Sequence, residues 1–180
     1  MIHIVGRPNV SGDAGDAEKY RTAMFESWDM LLGRLHPELG GSESQIDVIG
    51  VNYYDRNQWR NFGETIRRGD PEYCPFRDIL TEVFERYRRP LFVSETGTEG
   101  PDRPAWFAYI SEEVRRAIEK GIPVQGICLY PILNHPGWED DRHCFNGLWD
   151  YASDSGCRPV YEPLAQEIRK QEKIRRGHAR

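Results

Sequence analysis

Polar and aromatic side chains directly follow short apolar runs at four places in this sequence. They are Arg7 and Asn9 after IHIV; Asn52, Tyr53 and Tyr54 after DVIGV; Glu95 after PLFVS; and Tyr130, Asn134, His135, Trp138 and Glu139 after PVQGICL. Glu95 is the sharpest of these. A carboxylate that ends an apolar run is costly to bury unless it is paired or hydrogen-bonded. At the mouth of a site such a carboxylate can do chemistry. The structural alternative is a carboxylate that caps the next turn. Glu99, in the same TGTEG loop, lies further from the apolar run and ranks second. A hydroxyl from Tyr53, with Asn52 beside it, would orient the Glu95 carboxylate and hold it ionised. Alternatively, these residues are strand-end packing followed by a turn.

The segment HPGWEDDRH carries the third signal. An indole such as Trp138 stacks on a sugar ring, and Glu139 and Asp140 can accept hydrogen bonds from sugar hydroxyls. Its alternatives are a solvated loop, or a divalent-metal set made of His135, Asp140, Asp141 and His143. The helical spacing of an HExxH metal site is absent here.

Such groups need a frame that brings strand ends together. Four repeats of strand then helix are expected: strands at 2–5, 46–54, 90–95 and 123–131, and helices at 16–35, 76–87, 104–120 and 163–175. On the first helix Tyr20, Met24, Phe25, Trp28 and Leu31 or Leu32 share one face at 3.6 spacing. The near-continuous apolar run Ile46, Val48, Ile49, Val51 reads as a strand buried on both faces. Pro104 suits a first helical turn and Gly121 the position just past a helix end. The loops 55–74 and 133–162 are longer than plain connectors, as functional loops are. Alternating strands and helices of this length imply parallel βαβ units, with the chemistry at the C-terminal strand ends. No linker or composition break interrupts 1–180, so one domain is expected.

The bulk properties set limits. The chain has 180 residues, fewer than the roughly 250 of a complete eight-fold β/α barrel. A net charge of −5 argues against a nucleic-acid partner. The basic run KQEKIRRGHAR reads as a solvated helix end or tail. No apolar stretch approaches a membrane span, and MIHIVG lacks the pattern of a signal peptide. Cys74, Cys128, Cys144 and Cys157 are scattered without a CxxC pair, which fits reduced thiols and a cytoplasmic setting.

At these same residues the sequence resembles the C-terminal half of family 1 glycoside hydrolases, the β-glucosidase-like retaining enzymes of the (β/α)8 clan. DVIGVNYY resembles that family's sixth strand. PLFVSETG resembles the seventh, where the family has a Thr-Glu-Asn-Gly nucleophile motif. GIPVQGICLYPILNHPGWEDDRHCFNGLWDY resembles the eighth strand and its sugar-binding loop. IHIV would then be the fifth strand. The resemblance implies an α/β fold, a partial TIM barrel whose four parallel β/α units correspond to strands five to eight. It also implies Glu95 as nucleophile, Tyr53 orienting it, and Asn52, Tyr130, Asn134, Trp138 and Glu139 binding a β-glycoside, with no cofactor and no metal.

A retaining glycosidase uses two carboxyl groups about 5–5.5 Å apart, one attacking and one acting as acid and base. The family's Asn-Glu-Pro acid/base motif has no counterpart in this chain. Glu64 and Glu72 would reach the site only by a large loop movement. The expectation is therefore a half-enzyme, inactive alone, that self-associates or pairs with an N-terminal barrel half through its open sheet edges. The rival readings are a non-catalytic carbohydrate-binding remnant, and a small metal-dependent α/β hydrolase using His135, Asp141 and His143.

Overall fold

The computed structural model describes residues 1–178. Its centre is a parallel sheet of β2 (Ile49–Asn52), β4 (Leu91–Thr96) and β5 (Val124–Leu129), in the order β2-β4-β5. Two helices cover one face of it, α3 (Phe76–Tyr87) and α4 (Arg103–Glu119). On α3, Phe76, Ile79, Leu80, Val83 and Tyr87 recur at helical spacing and are buried. On α4, Trp106, Ile110, Val114 and Ala117 do the same. They pack on Ile49, Val51, Leu91 and Val93, all at 0% exposure, and this layer is the hydrophobic core. Fully burying each such side chain is worth about 1.5–3 kcal/mol.

The opposite face of the sheet is different. Gly50, Asn52 and Cys128 are exposed. A Cβ on Gly50 would lie 2.9 Å from Ser94 Oγ, and one on Gly126 would lie 2.8 Å from a ring carbon of Phe92. Those side chains thus stand over the glycines on this open side. The expectation that the second strand is buried on both faces is corrected: its residues alternate, buried then exposed.

The first strand also departs from expectation. β1 (His3–Val5) pairs in parallel with β3 (Gln58–Arg60), a short strand inside the loop after β2, and not with the central sheet. The loop 55–74 supplies backbone partners nearby, and β1 takes them. Three of the four expected barrel strands therefore share one sheet.

The expected first helix is α1 (Asp13–Thr22), a 3-10 turn at Ala23–Phe25, and α2 (Glu26–Leu31). The tighter turn changes the phase of the apolar stripe. Phe25 and Leu32 are buried, while Tyr20 and Leu31 are exposed, so Tyr20 is not on the inward face. The remaining helix, α5 (Glu162–His178), packs against α4. The last two residues of the basic C-terminal run lie outside the described residues. Among the described residues no helix is long and apolar enough to cross a membrane. The four cysteines are free thiols.

Candidate active site

Parallel pairing brings the C-terminal ends of β2, β4 and β5 to one side. Asn52 is in register with Glu95, and Thr96 with Leu129. The strand ends crowd closely: a Cβ on Gly97 would sit 2.1 Å from the Tyr130 carbonyl oxygen. Only glycine lets the chain after Glu95 pass the chain after β5. A cavity of about 740 Å3 opens above these ends, and Glu95, Tyr54, Tyr130, His135 and Trp138 are among its walls.

Within it, the Tyr54 hydroxyl donates to Oε2 of Glu95 at 2.8 Å. Burial, this hydrogen bond and the Glu95 charge all push the Tyr54 phenol upward, so it stays a donor. Tyr53 is elsewhere. It is 1% exposed, stacks on Phe76 with ring centroids 4.3 Å apart, and also stacks on Trp106. Its hydroxyl accepts from Gln58 Nε2 at 2.6 Å and lies 3.3 Å from the Tyr73 hydroxyl. Burial raises the Tyr53 phenol to about 12. The assignment of Tyr53 as the residue orienting Glu95 is therefore corrected to Tyr54. Strand alternation is the reason. Ile49, Val51 and Tyr53 face the helices, so Tyr54 falls to the cavity side.

The loop after β5 crosses the mouth. Tyr130 and Trp138 flank His135, at ring-centroid distances of 6.2 and 6.1 Å from it. Trp138 is 87% exposed, an indole with no core role. His135 Nδ1 meets the Pro136 carbonyl at 2.7 Å, so that nitrogen carries the proton and Nε2 accepts from Asn146 at 3.2 Å. Arg142 grips Glu99 with two hydrogen bonds, of 2.6 and 3.1 Å, which hold the Glu99 carboxyl below its usual range.

Three expected ligand residues lie outside the cavity walls. Asn134 is buried and spends both ends of its side chain on the loop itself. Its Nδ2 donates to Asp150 at 2.7 Å, and its Oδ1 accepts from the Gly147 N–H at 2.6 Å. It is a loop-building residue, and the substrate-contact expectation for it is corrected. Asn52 accepts from Ser94 Oγ at 2.7 Å on the open face of the sheet. Glu139 is exposed and is not among the lining residues. Among the described residues no three His, Cys, Asp or Glu side chains gather as a metal set. His143 instead stacks on Tyr151 at 4.4 Å. Of the two distant carboxylates, Glu72 is paired with Arg60 at 3.1 Å.

A parallel sheet covered by helices, with polar and aromatic side chains at its C-terminal strand ends, is the architecture of part of a β/α barrel. Comparison with known proteins agrees. The β-glycosidase from the hyperthermophile Thermosphaera aggregans superposes with a TM-score of 0.73 at 18% identity, covering 96% of this chain and 42% of that one. A Thermotoga maritima β-glucosidase in complex with glucoimidazole gives 0.67 at 16% identity, covering 95% and 49%. In sequence, β-glucosidase 1B of Phanerodontia chrysosporium is 24% identical across 61% of this chain and 28% of its own length. No family model matches. The chain has the fold of part of a family 1 β-glycosidase and is related to glycoside hydrolases of the β-glucosidase kind. It spans less than half the length of each of these proteins.

Proposed function

We propose that the chain is the C-terminal half of a retaining β-glycosidase, corresponding to strands five to eight of the barrel, with Glu95 as its nucleophile. The observation that carries this reading is the Tyr54–Glu95 hydrogen bond at the end of β4, inside a cavity flanked by Tyr130 and Trp138. In the reaction, Glu95 attacks the anomeric carbon as the leaving oxygen departs, forming a glycosyl ester that water then cleaves. Tyr54 fixes the attacking carboxylate, while Trp138 and Tyr130 offer ring faces to the sugar. The bound glucoimidazole of the Thermotoga neighbour supports a carbohydrate ligand here.

The second carboxyl group is what the chain lacks. Glu99 shares the cavity, but its two-point pairing with Arg142 holds it ionised and unfit to donate a proton. Glu64 is exposed and is not among the cavity walls. Alone, the chain is therefore inactive, and it needs another half-barrel to supply the acid and base. The test uses a 2-fluoro-β-glucoside, which traps a retaining nucleophile. The chain is incubated with it, alone and with the N-terminal half of a related β-glucosidase, and the labelled peptide is mapped. Label on Glu95 supports the assignment, and label on Glu99 or any other residue overturns it. Sugar binding without label in either mixture favours a non-catalytic carbohydrate-binding role, which the exposed Trp138 also fits.

A further inference from the structure

Beside the Glu95 cavity lies a second one of about 480 Å3. The two share Asp55, Arg56 and Thr98 as a common wall. In this shared wall the Thr98 hydroxyl lies 3.4 Å from Asp55 Oδ2. The second basin gathers three guanidiniums, Arg56, Arg67 and Arg68, in a protein of net charge −5. Arg56 and Arg67 have no side-chain hydrogen-bond or ion-pair partner among the described residues. The two carboxylates lining the basin, Asp55 and Asp102, form no ion pair with any of the three.

The cluster is mounted on a fixed turn. The Arg67 N–H donates to Asp70 Oδ2 at 2.8 Å, and the Asp70 N–H returns to the Arg67 carbonyl at 3.0 Å. Gly69 between them has φ +107, where side-chain-bearing residues are strained. Arg68 lies over the Tyr109 ring at 4.5 Å, and the Tyr109 hydroxyl meets that of Tyr73 at 2.7 Å. Trp106 gives the basin an aromatic wall. Unpaired arginines beside an aromatic wall match an aryl group that carries an acid.

We infer that this basin binds the anionic group of an aryl acid attached to the sugar, which makes β-glycosides with an acidic aglycone the preferred substrate class. The inference rests on the glycosidase reading for the sugar, and on the basin alone for the anion.

The test is calorimetric titration of the full chain at low salt with three probes. These are 4-carboxyphenyl β-D-glucoside, its neutral isostere 4-carbamoylphenyl β-D-glucoside, and 4-hydroxybenzoate without sugar. The carboxylate glucoside is expected to bind roughly tenfold more tightly than the amide, as charge-assisted pairing predicts. R67Q, which lines the second basin alone, should shrink that preference while leaving the amide's affinity and the circular dichroism spectrum unchanged. Equal binding of the two glucosides overturns the inference and spares the glycosidase reading. Binding of 4-hydroxybenzoate but of neither glucoside keeps the anion basin and overturns the link to a glycoside. No binding by any probe overturns the anion basin.

Discussion

The Tyr54 hydroxyl and Oε2 of Glu95 are 2.8 Å apart, whereas Tyr53, one residue earlier, sends its hydroxyl into the core toward Gln58. Adjacent tyrosines therefore have separable jobs. In the reconstituted barrel, Tyr54→Phe is expected to slow 2-fluoro-glucoside trapping by roughly tenfold to a hundredfold, the scale of a hydrogen bond to a charged group. Its thermal midpoint should hardly move.

Tyr53→Phe is expected to do the reverse. Removing its hydroxyl leaves Gln58 Nε2 with one acceptor fewer and breaks the contact with Tyr73. A loss of about 1–2 kcal/mol in urea unfolding is expected, with the trapping rate unchanged. A slower trapping rate at unaltered stability would return the orienting role to Tyr53.

Trp138→Ala separates recognition from folding in the same way. The side chain is 87% exposed, so its removal should leave the melting temperature in place. The stacking contribution of an aromatic ring, about 0.5–1.5 kcal/mol, should disappear from the binding of D-glucose measured by titration.

Gly147→Ala tests the frame of the loop. A Cβ there would lie 2.4 Å from the Asn134 backbone nitrogen, a clash with backbone that no rotamer relieves. A cost of about 1–3 kcal/mol is expected, together with faster proteolysis between 135 and 146. Asn134→Ala should give the same proteolytic signature, because it removes the acceptor of the Gly147 N–H.

Asp13 sets a pH dependence. Hydrogen bonds from the Arg7 side chain first, and from its backbone next, hold the Asp13 carboxyl at about 2 against an ordinary 3.8. Its folded value is depressed, so its stabilisation is complete above about 3.8 and is lost as pH falls toward 2. Thermal midpoints recorded from pH 5 to 2 should fall less steeply for Asp13→Asn than for the parent chain. Parallel slopes would contradict this linkage.

Much of the architecture could be read from residues alone. The helix 76–87 is found as expected, and Gly121 sits at φ +85 just past the end of α4. Apolar periodicity suffices there because the burial partner is a single flat layer. The partner of IHIV was not legible, because β1 pairs with a loop strand whose three residues, QWR, carry no strand pattern. The Tyr53 and Tyr54 roles were legible in principle. Alternation from Ile49 and Val51 places Tyr53 with the core, but treating the strand as buried on both faces discards that signal. Asn134 was not legible. Its partners Gly147 and Asp150 lie 13 and 16 residues away, across a loop with no repeating pattern.

The one-sided core has a consequence for how such a chain can change over time. Positions 49, 51 and 53 answer to folding, and positions 52 and 54 do not share that burden. Selection for stability and selection for chemistry therefore act on interleaved letters of the same short strand. The open side of the strand can therefore change at positions 52 and 54 with the packed layer beneath left untouched.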